Sequence, residues 1–551
     1  MKIQLVSIPL MDDILPYNLG VLENFVNQQS KLNYNFLDYV CQSKTAFEDL
    51  DSSADIIGVS CYIWNQEISD DISKKYKEQN PNGIIIYGGP NVPEQEYHRE
   101  SYEKERPYVD YYIAGPGEQL FLDLLQNINT FPKWSYTGHR KFIHPEPTPY
   151  IDGVFNNLLE KKSNWIATIE TTRGCPFQCS FCDWGGGTNV KVNKFLEENI
   201  YKTLDLLLNH KNVSVIRFAD ANFGWTERDY NILKYFNDNN SMNKNVSIAG
   251  AAKNSVKYLP KILQLVNIIN AGTDFSKRLA ARKLKIGVQS WNPEVLKAIE
   301  RNNINTKQYE YLIATSKEDN VTFDTEHIVG LPGETVNGWL DTIRMSAEFG
   351  SDTLFIYPLE VAINAPMMTK EHIEKYDLNL EKTYFPKFLK YSQGVKLPRK
   401  DWDIPFDKNL ELTSRYILTG CYSFNIDDLL KMLDYSWWVQ NFYSTKLIDL
   451  KADIITEIFN FYDNLDNMPL LNSIVYAHRE SQKRYYKEKK VNTYRDYYYH
   501  NVIHFRLDEL FIMYENKEQI EDELQRKIYL PDVLKDYERR LTQFQLNVRD
   551  L

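Results

Sequence analysis

Apolar positions over the first 125 residues fall in short runs separated by amphipathic stretches. KIQLVSI, NYNFLDY, DIIGVSCY, GIIIYGG and VDYYIAG each read as a strand, rich in β-branched and aromatic residues. YNLGVLENFVNQQ, after the first of them, reads as a helix. Alternation of strand and helix predicts a doubly wound, mostly parallel sheet. In such sheets ligands lie beyond the carboxyl ends of the strands, where glycine lets backbone approach closely. Those ends carry Ser60, Gly88, Gly89, Gly115 and Gly117.

A second alternating region starts at Asn164. WIATIETT, VSVIRFAD, VSIAGAA, KLKIGVQS, VTFDTEHIVG and DTLFIYPL read as strands, with EENIYKTLDLLLNH and PEVLKAIERNN among the helices between them. Six βα units predict a parallel α/β barrel, open or closed, with catalytic residues at the strand carboxyl ends. Between the two regions, FPKWSYTGHRKFIHPEPTPYIDG is Pro-rich and reads as a linker. From residue 395 the pattern turns helical and Tyr-rich, as in DDLLKMLDYSWWVQNFY and YRDYYYHNVIHFRLDELFIMY. The expected organisation is therefore α/β: domains over 1–130 and 164–394, a linker over 131–163, and a mainly helical C-terminal domain over 395–551.

The length, 551 residues, agrees with two or three domains. A net charge of −11 argues against broad binding to a phosphate backbone, so no nucleic-acid partner is expected. The basic run RESQKRYYKEKK reads as a solvated helix face. No stretch approaches the ~20 apolar residues of a membrane span. The opening MKIQLVSIPLMDD is too short an apolar run for a signal peptide. Six cysteines in a chain this long do not make a disulfide scaffold; their clustering points to a reducing cytoplasm and to metal or cluster ligation.

TTRGCPFQCSFCDWGGG, directly after the first strand of the second region, carries three of them at spacing C-x3-C-x2-C. Zinc sites usually take four ligands from paired C-x2-C elements, so three thiols in one loop would leave a position vacant. An iron–sulfur cluster takes one thiolate per iron, and three would leave one iron open. With Cys175, Cys179, Cys182 and the aromatic Phe181, the stretch resembles the radical S-adenosylmethionine (SAM) superfamily. The resemblance implies a [4Fe–4S] cluster on these cysteines whose open iron chelates SAM, and a radical SAM (β/α)6 partial barrel around it. It also assigns expected SAM contacts: Phe181 in the cysteine loop, Asp220 and Asn222 in RFADANFG, Gln289 and Ser290 in KIGVQSWNPEVLKAIER, and Ile328 and Gly330 in TEHIVGLPGET. Related enzymes often show Asp-Asp-Asn at the first of these segments, and Ala221 departs from that pattern.

PYNLGVLENF, VSCYIWNQE, YGGPNVPE and YIAGPGEQLF make the N-terminal domain resemble the Rossmann-like cobalamin-binding domain of the B12-dependent radical SAM enzymes of methyltransferase type. The implied cobalamin contacts are Asn18, Ser60, Tyr62, Trp64, Gly88, Gly89, Gly115, Gly117 and Glu118. The domain has no Asp-x-His, and its one histidine, His98, is expected on an exposed helix or loop. Cobalamin is then expected base-off without a histidine ligand, with Trp64 covering the lower face of cobalt. The implied activity is C-methylation of an unactivated carbon: a 5′-deoxyadenosyl radical abstracts hydrogen, and methylcobalamin delivers methyl. Alternatives are a non-methylating cyclisation or rearrangement, a tRNA methylthiotransferase, and an iron–sulfur scaffold or interaction protein. Methylthiotransferases carry three more N-terminal cysteines, and Cys41 and Cys61 are too few. A small-molecule or peptide substrate and an external electron donor such as flavodoxin or ferredoxin complete the expectation. Cys421, Trp437, Trp438 and Tyr497 to Tyr499 are aromatic or thiol positions near which a substrate could sit, although such aromatics more often pack in a core or interface and such a cysteine is more often buried and inert.

Overall fold

A computed structural model describes residues 1–9, 11–136, 146–184, 192–249, 257–270, 284–318, 323–351, 353–386 and 412–443. The basic run at 479–490 and the Tyr-rich stretch at 494–514 lie outside them. The chain divides into two compact units. The first holds residues 1–284, 318–321 and 361–372, and the second holds 285–317, 322–360 and 373–551.

The first unit opens with β1 (Lys2–Val6), α1 (Tyr17–Gln29), β2 (Asn35–Phe36), β3 (Ile56–Ser60), α2 (Gln66–Gln79), β4 (Ile84–Gly88), α3 (Glu96–Lys104), β5 (Tyr111–Ala114), α4 (Glu118–Gln126) and β6 (Trp134–Tyr136). The strands form one parallel sheet in the order β2-β1-β3-β4-β5-β6. Successive side chains in a strand point to opposite faces. Ile3, Leu5, Ile56 and Ile86 thus meet Leu19, Phe25, Phe121 and Leu125 from α1 and α4. Val6, Ile57, Val59, Ile85 and Tyr87 meet Ile68, Ile72 and Tyr76, spaced four apart along α2. Each such aliphatic side chain contributes roughly 2 kcal/mol on burial. The strand order reverses between β1 and β3, and the crevice at such a switch point is where α/β sheets hold ligands.

Two details depart from the sequence reading. NYNFLDY supplies only the two residues of β2. Trp134–Tyr136, read as linker, extends the sheet beside β5. The driving contact is Trp134, whose indole stacks on Tyr112 at 4.1 Å and donates from Nε1 to Glu103 Oε2 at 2.8 Å.

The first unit continues with α5 (Asn156–Lys161), β7 (Trp165–Ile169), β8 (Thr172–Arg173), β9 (Asn193–Lys194), α6 (Glu197–Leu208), β10 (Val213–Phe218), α7 (Glu227–Asn239), β11 (Asn245–Ile248) and α8 (Leu259–Asn270). β7, β10 and β11 form a parallel sheet in the order β11-β10-β7. Its core joins Trp165, Ile216 and Phe218 to Leu204 and Leu207 of α6 and to Ile232 and Phe236 of α7. The two sheets of the unit are tied directly: Leu15 N donates to Ile166 O at 3.0 Å, and Ile166 N to Asp13 O at 2.8 Å.

The remaining elements, most of whose residues belong to the second unit, are β12 (Leu284–Gln289), α9 (Pro293–Ala298), α10 (Thr306–Glu318), β13 (Phe323–Val329), α11 (Val336–Glu348), β14 (Thr353–Pro358), β15 (Glu360–Val361), α12 (Lys370–Tyr376), β16 (Asn379–Pro386), β17 (Leu412–Gly420) and α13 (Ile426–Tyr443). One sheet runs β12-β13-β14 and another β15-β17-β16. All six expected strands of the central region are present, as two three-stranded sheets and not a closed barrel. DDLLKMLDYSWWVQNFY is helical as expected. LTSRYILTG, inside the region read as helical, is instead a strand antiparallel to β16, consistent with its Thr, Tyr and Ile content.

Candidate functional site

The cysteine loop follows β7 and is bracketed by the short antiparallel pair β8/β9. Gly174 takes φ +103°, a left-handed turn that glycine adopts without strain, immediately before the first cysteine. Cys175 and Cys179 are buried, Cys182 is half-buried, and none of the six cysteines is in a disulfide. Cys182 N donates to Cys179 O at 3.0 Å, a turn that keeps the last two close. Among the described residues no three His, Cys, Asp or Glu converge on a single-ion position. Three thiols spread over one loop suit a group that takes one thiolate per iron.

The residues after β10 hold this loop. Asp220 accepts from Thr171 N at 3.1 Å, Thr171 Oγ1 at 2.7 Å and Thr172 Oγ1 at 2.6 Å. Burial pushes its carboxyl up to about 6, against the pull of the threonine hydrogen bonds. Asp220, an expected SAM contact, holds through these bonds the two residues leading into the cysteine loop. Asn222 Nδ2 donates to Cys175 Sγ at 2.9 Å, and its Oδ1 is buried without a partner. Phe181 is half-buried in the loop. Burial pushes Asp183, next to Cys182, up to about 7.

The carboxyl edge of the six-stranded sheet belongs to the same unit. At the switch point Asn18 Nδ2 donates to Ser60 Oγ at 2.8 Å and to Ser7 Oγ at 3.2 Å, bridging the ends of β1 and β3. Gly89 takes φ +96°, and a Cβ there would stand 2.7 Å from Cys61 O, so no other residue fits. At Gly88 and Gly117 a Cβ would be in ordinary contact, at 3.7 Å and 3.8 Å from its nearest neighbours, so a small side chain would fit there without strain. Gly115 takes φ +78°. After β3, Asn65 folds the loop back, its Oδ1 accepting from Tyr62 N at 2.7 Å. Trp64 stacks on Tyr62 at 4.4 Å, and its indole N–H is buried without a partner. Burial pushes the Tyr62 hydroxyl up to about 12.

Two of the singled-out residues have partners within the protein. Glu118, expected on cobalamin, accepts from Arg173 Nη1 at 2.7 Å; Arg173 also pairs with Glu170. The carboxylates are 7% and 18% exposed, and a buried guanidinium needs such partners. His98 lies on α3, where Tyr102 is the one buried residue, and is half-buried with its ring centroid 3.9 Å from that of Tyr97. Arg173 and Glu170 went unread in the sequence, where a single Arg before the first cysteine was the only signal. Asn364 also went unread. It is 4% exposed, donates from Nδ2 to Pro90 O at 2.8 Å and Val92 O at 2.9 Å, and accepts from Glu94 N at 2.9 Å.

The remaining expected SAM contacts lie in the second unit. Gln289, at the end of β12, takes φ +70°, rare for a side-chain-bearing residue, and its Oε1 is buried without a partner. Ser290 is expected to bind SAM, but its hydroxyl donates to Glu334 Oε2 at 3.0 Å, shares a bond with Thr342 Oγ1 at 3.1 Å and accepts from Asn292 N at 3.0 Å. It is a buried structural hub. Ile328 is half-buried on β13. Gly330 takes φ +85°, and a Cβ there would stand 2.8 Å from Leu429 Cδ1 of α13, so close packing already requires glycine. Glu334 of GLPGET, fully buried, also accepts from Asn292 Nδ2 at 3.0 Å, and Thr335 caps α11 by accepting from Gly338 N.

A switch-point sheet, followed by βα units with a three-cysteine loop after the first strand, defines an α/β protein with a candidate iron–sulfur loop. Residues 169–346 match the family model described as the Radical SAM superfamily. It is 30% identical over 395 residues to the cobalamin-dependent radical SAM methyltransferase TokK of Streptomyces tokunonensis. It is 28% identical over 403 residues to 2-(S-pantetheinyl)-carbapenam-3-carboxylate methyltransferase of Streptantibioticus cattleyicolor. Each alignment covers 66% of this chain and 56% of the relative, so the chain spans about half the length of these curated relatives. Among solved structures, the fold is similar to the cobalamin-dependent SAM radical enzyme OxsB (TM-score 0.53, 15% identity, 98% of this chain and 84% of that one). It is also similar to the radical SAM methyltransferase TsrM of Kitasatospora setae (TM-score 0.51, 13% identity, 76% and 86%). No helix among the described residues is long and apolar enough to cross a membrane.

Proposed function

We propose that this chain is a cobalamin-dependent radical SAM methyltransferase acting on an unactivated carbon of a small-molecule or peptide substrate in the cytoplasm, with electrons from a flavodoxin- or ferredoxin-type donor. The observation that carries the reading is the placement, in one compact unit, of the Cys175–Cys179–Cys182 loop and the glycine-lined switch-point edge of the N-terminal sheet. The methyltransferase names of the two curated relatives support it.

When bound, the cluster and SAM supply a 5′-deoxyadenosyl radical and cobalamin supplies the methyl group. The protein's share is binding, aim and exclusion of water. Cys175, Cys179 and Cys182 supply the three thiolates. The Asn222 amide places an N–H against the Cys175 sulfur and leaves Oδ1 to accept from a ligand. Asp220 fixes the entry to the loop through Thr171 and Thr172. At the sheet edge, Asn18 and Ser60 present polar groups, Gly88 and Gly117 leave room for a flat macrocycle's tail, and the Tyr62–Trp64 stack keeps water out. Gln289, whose buried Oε1 has no partner, is a further candidate for a SAM contact.

Reconstituted anaerobically, the wild type should bind one [4Fe–4S] cluster and one cobalamin and give one 5′-deoxyadenosine and one S-adenosylhomocysteine per methylated product. Cys175→Ala, Cys179→Ala and Cys182→Ala should each lose the cluster and SAM cleavage, while Cys41→Ala, Cys61→Ala and Cys421→Ala keep both. Turnover of substrate with deoxyadenosine but no S-adenosylhomocysteine would replace methylation by a rearrangement.

A further inference from the structure

Residues 361–372 follow β14 in the sequence but belong to the first unit. Asn364 uses all three of its strongest hydrogen-bonding positions on the loop after β4: two donations, to Pro90 O and Val92 O, and one acceptance, from Glu94 N. That loop is tied to the sheet edge, with Asn91 N donating to Cys61 O at 3.0 Å and Val92 N to Gly89 O at 3.1 Å. Three residues on, Met367 N donates to Ser180 O at 2.8 Å, inside the cysteine loop between Cys179 and Phe181. Pro366–Met368 is a 3-10 turn, closed by Met368 N on Ala365 O at 2.9 Å, and Ala365, Met367 and Met368 are all buried. Three residues span at most about 10 Å, so one rigid turn joins the glycine-lined loop to the cysteine loop.

We propose that Asn364 is a positioning residue that sets the separation between the cobalamin loop and the cluster loop, acting through the 364–367 turn. The proposal rests on the functional reading above. Hydrogen abstraction needs only SAM, the cluster and substrate in register. Methyl delivery needs the cobalt aimed as well, and a misplacement of about 1 Å can cost ~100-fold in a step that depends on orientation. Loosening the turn therefore uncouples the second step from the first. Asn364→Asp keeps the volume and can still accept from Glu94 N, but it faces two carbonyls with no donor. Asn364→Ala removes all three bonds.

The test is pulsed dipolar electron paramagnetic resonance between Co(II) and the reduced cluster in the loaded full-length enzyme, with cobalt and iron content measured alongside. The wild type should give one narrow distance. Both variants should keep full cobalt and iron yet give a broadened or second distance. In turnover, 5′-deoxyadenosine should stay within about twofold of wild type while methyl product per deoxyadenosine falls roughly tenfold or more. Hydrogen exchange of Val92, Glu94 and Met367 amides, faster in both variants without any cofactor, gives a readout independent of loading. An unchanged distance and coupling ratio in both variants would overturn the proposal. So would loss of cobalamin with the cluster kept, because Asn364 would then be a binding determinant. A wild type that binds no cobalt or no iron refutes the functional reading itself, a result separate from these.

Discussion

Asn222 shows what a single amide can do beside three thiols. A hydrogen bond to a ligand sulfur stabilises the reduced cluster, which carries the extra negative charge. Asn222→Leu should therefore assemble the cluster but make it harder to reduce. One charge-assisted bond corresponds to a roughly tenfold shift in the equilibrium, about 60 mV for one electron. A potentiometric titration followed by electron paramagnetic resonance checks it, and an unchanged potential would show that the amide does not act on the cluster. Trp64 allows a second test at this scale. The indole stacked on Tyr62 has no lone pair to give cobalt. The Co(II) spectrum should show no axial nitrogen splitting in the wild type, whereas Trp64→His should introduce it. At this scale the structure brings Asn18 and Ser60, both singled out in the sequence, within hydrogen-bond distance of each other, and the sequence marks the three cysteines by their spacing. It was unreadable where a polar residue has two good uses. Asp220, Ser290 and Glu118 sit at the expected positions, but each spends its hydrogen bonds on the scaffold.

Elements were more legible than residues, because burial of whole faces leaves a periodic trace. β1, β3, β4 and β5 of the N-terminal sheet and the six strands of the central region are where the apolar runs placed them. β6 was missed since three residues carry no period, and its place depends on Trp134 finding Tyr112. β17 was missed because its Tyr and Thr content was absorbed into a Tyr-rich helical reading. The contact between α4 and β8 was invisible, since Glu118 and Arg173 lie 55 positions apart. That pair carries a prediction. Glu118→Leu leaves the Arg173 guanidinium with Glu170 alone, and should lower unfolding free energy by about 2 kcal/mol, read in urea titrations. Adding Arg173→Met to that variant should recover much of the loss.

For the molecule as a whole, the described residues point to an acid-sensitive second unit. His327 is fully buried, and burial pushes its imidazole down to about 4 from an ordinary 6.5. Between those values the unfolded chain binds the proton and the folded chain does not. Stability therefore rises with pH across this window and is lost as pH falls from 6.5 toward 4, by on the order of 3 kcal/mol. His327→Leu should flatten that slope in denaturant titrations at pH 7 and pH 4.5; an unchanged slope would place the sensitivity elsewhere. The discontinuity of the first unit has a consequence for how such chains are made and inherited. Residues 361–372 complete a unit whose other main segment ends at Leu284, so a ribosome must release more than seventy further residues before Asn364 can reach the loop at Pro90. Until then that loop waits with open carbonyls, and the nascent chain is exposed to proteases and chaperones at the place where its later turn will dock. A gene crossover anywhere between codons 285 and 360 would pair one parent's cysteine loop with the other's turn, so recombinants across that stretch should survive only between parents whose two loops already match.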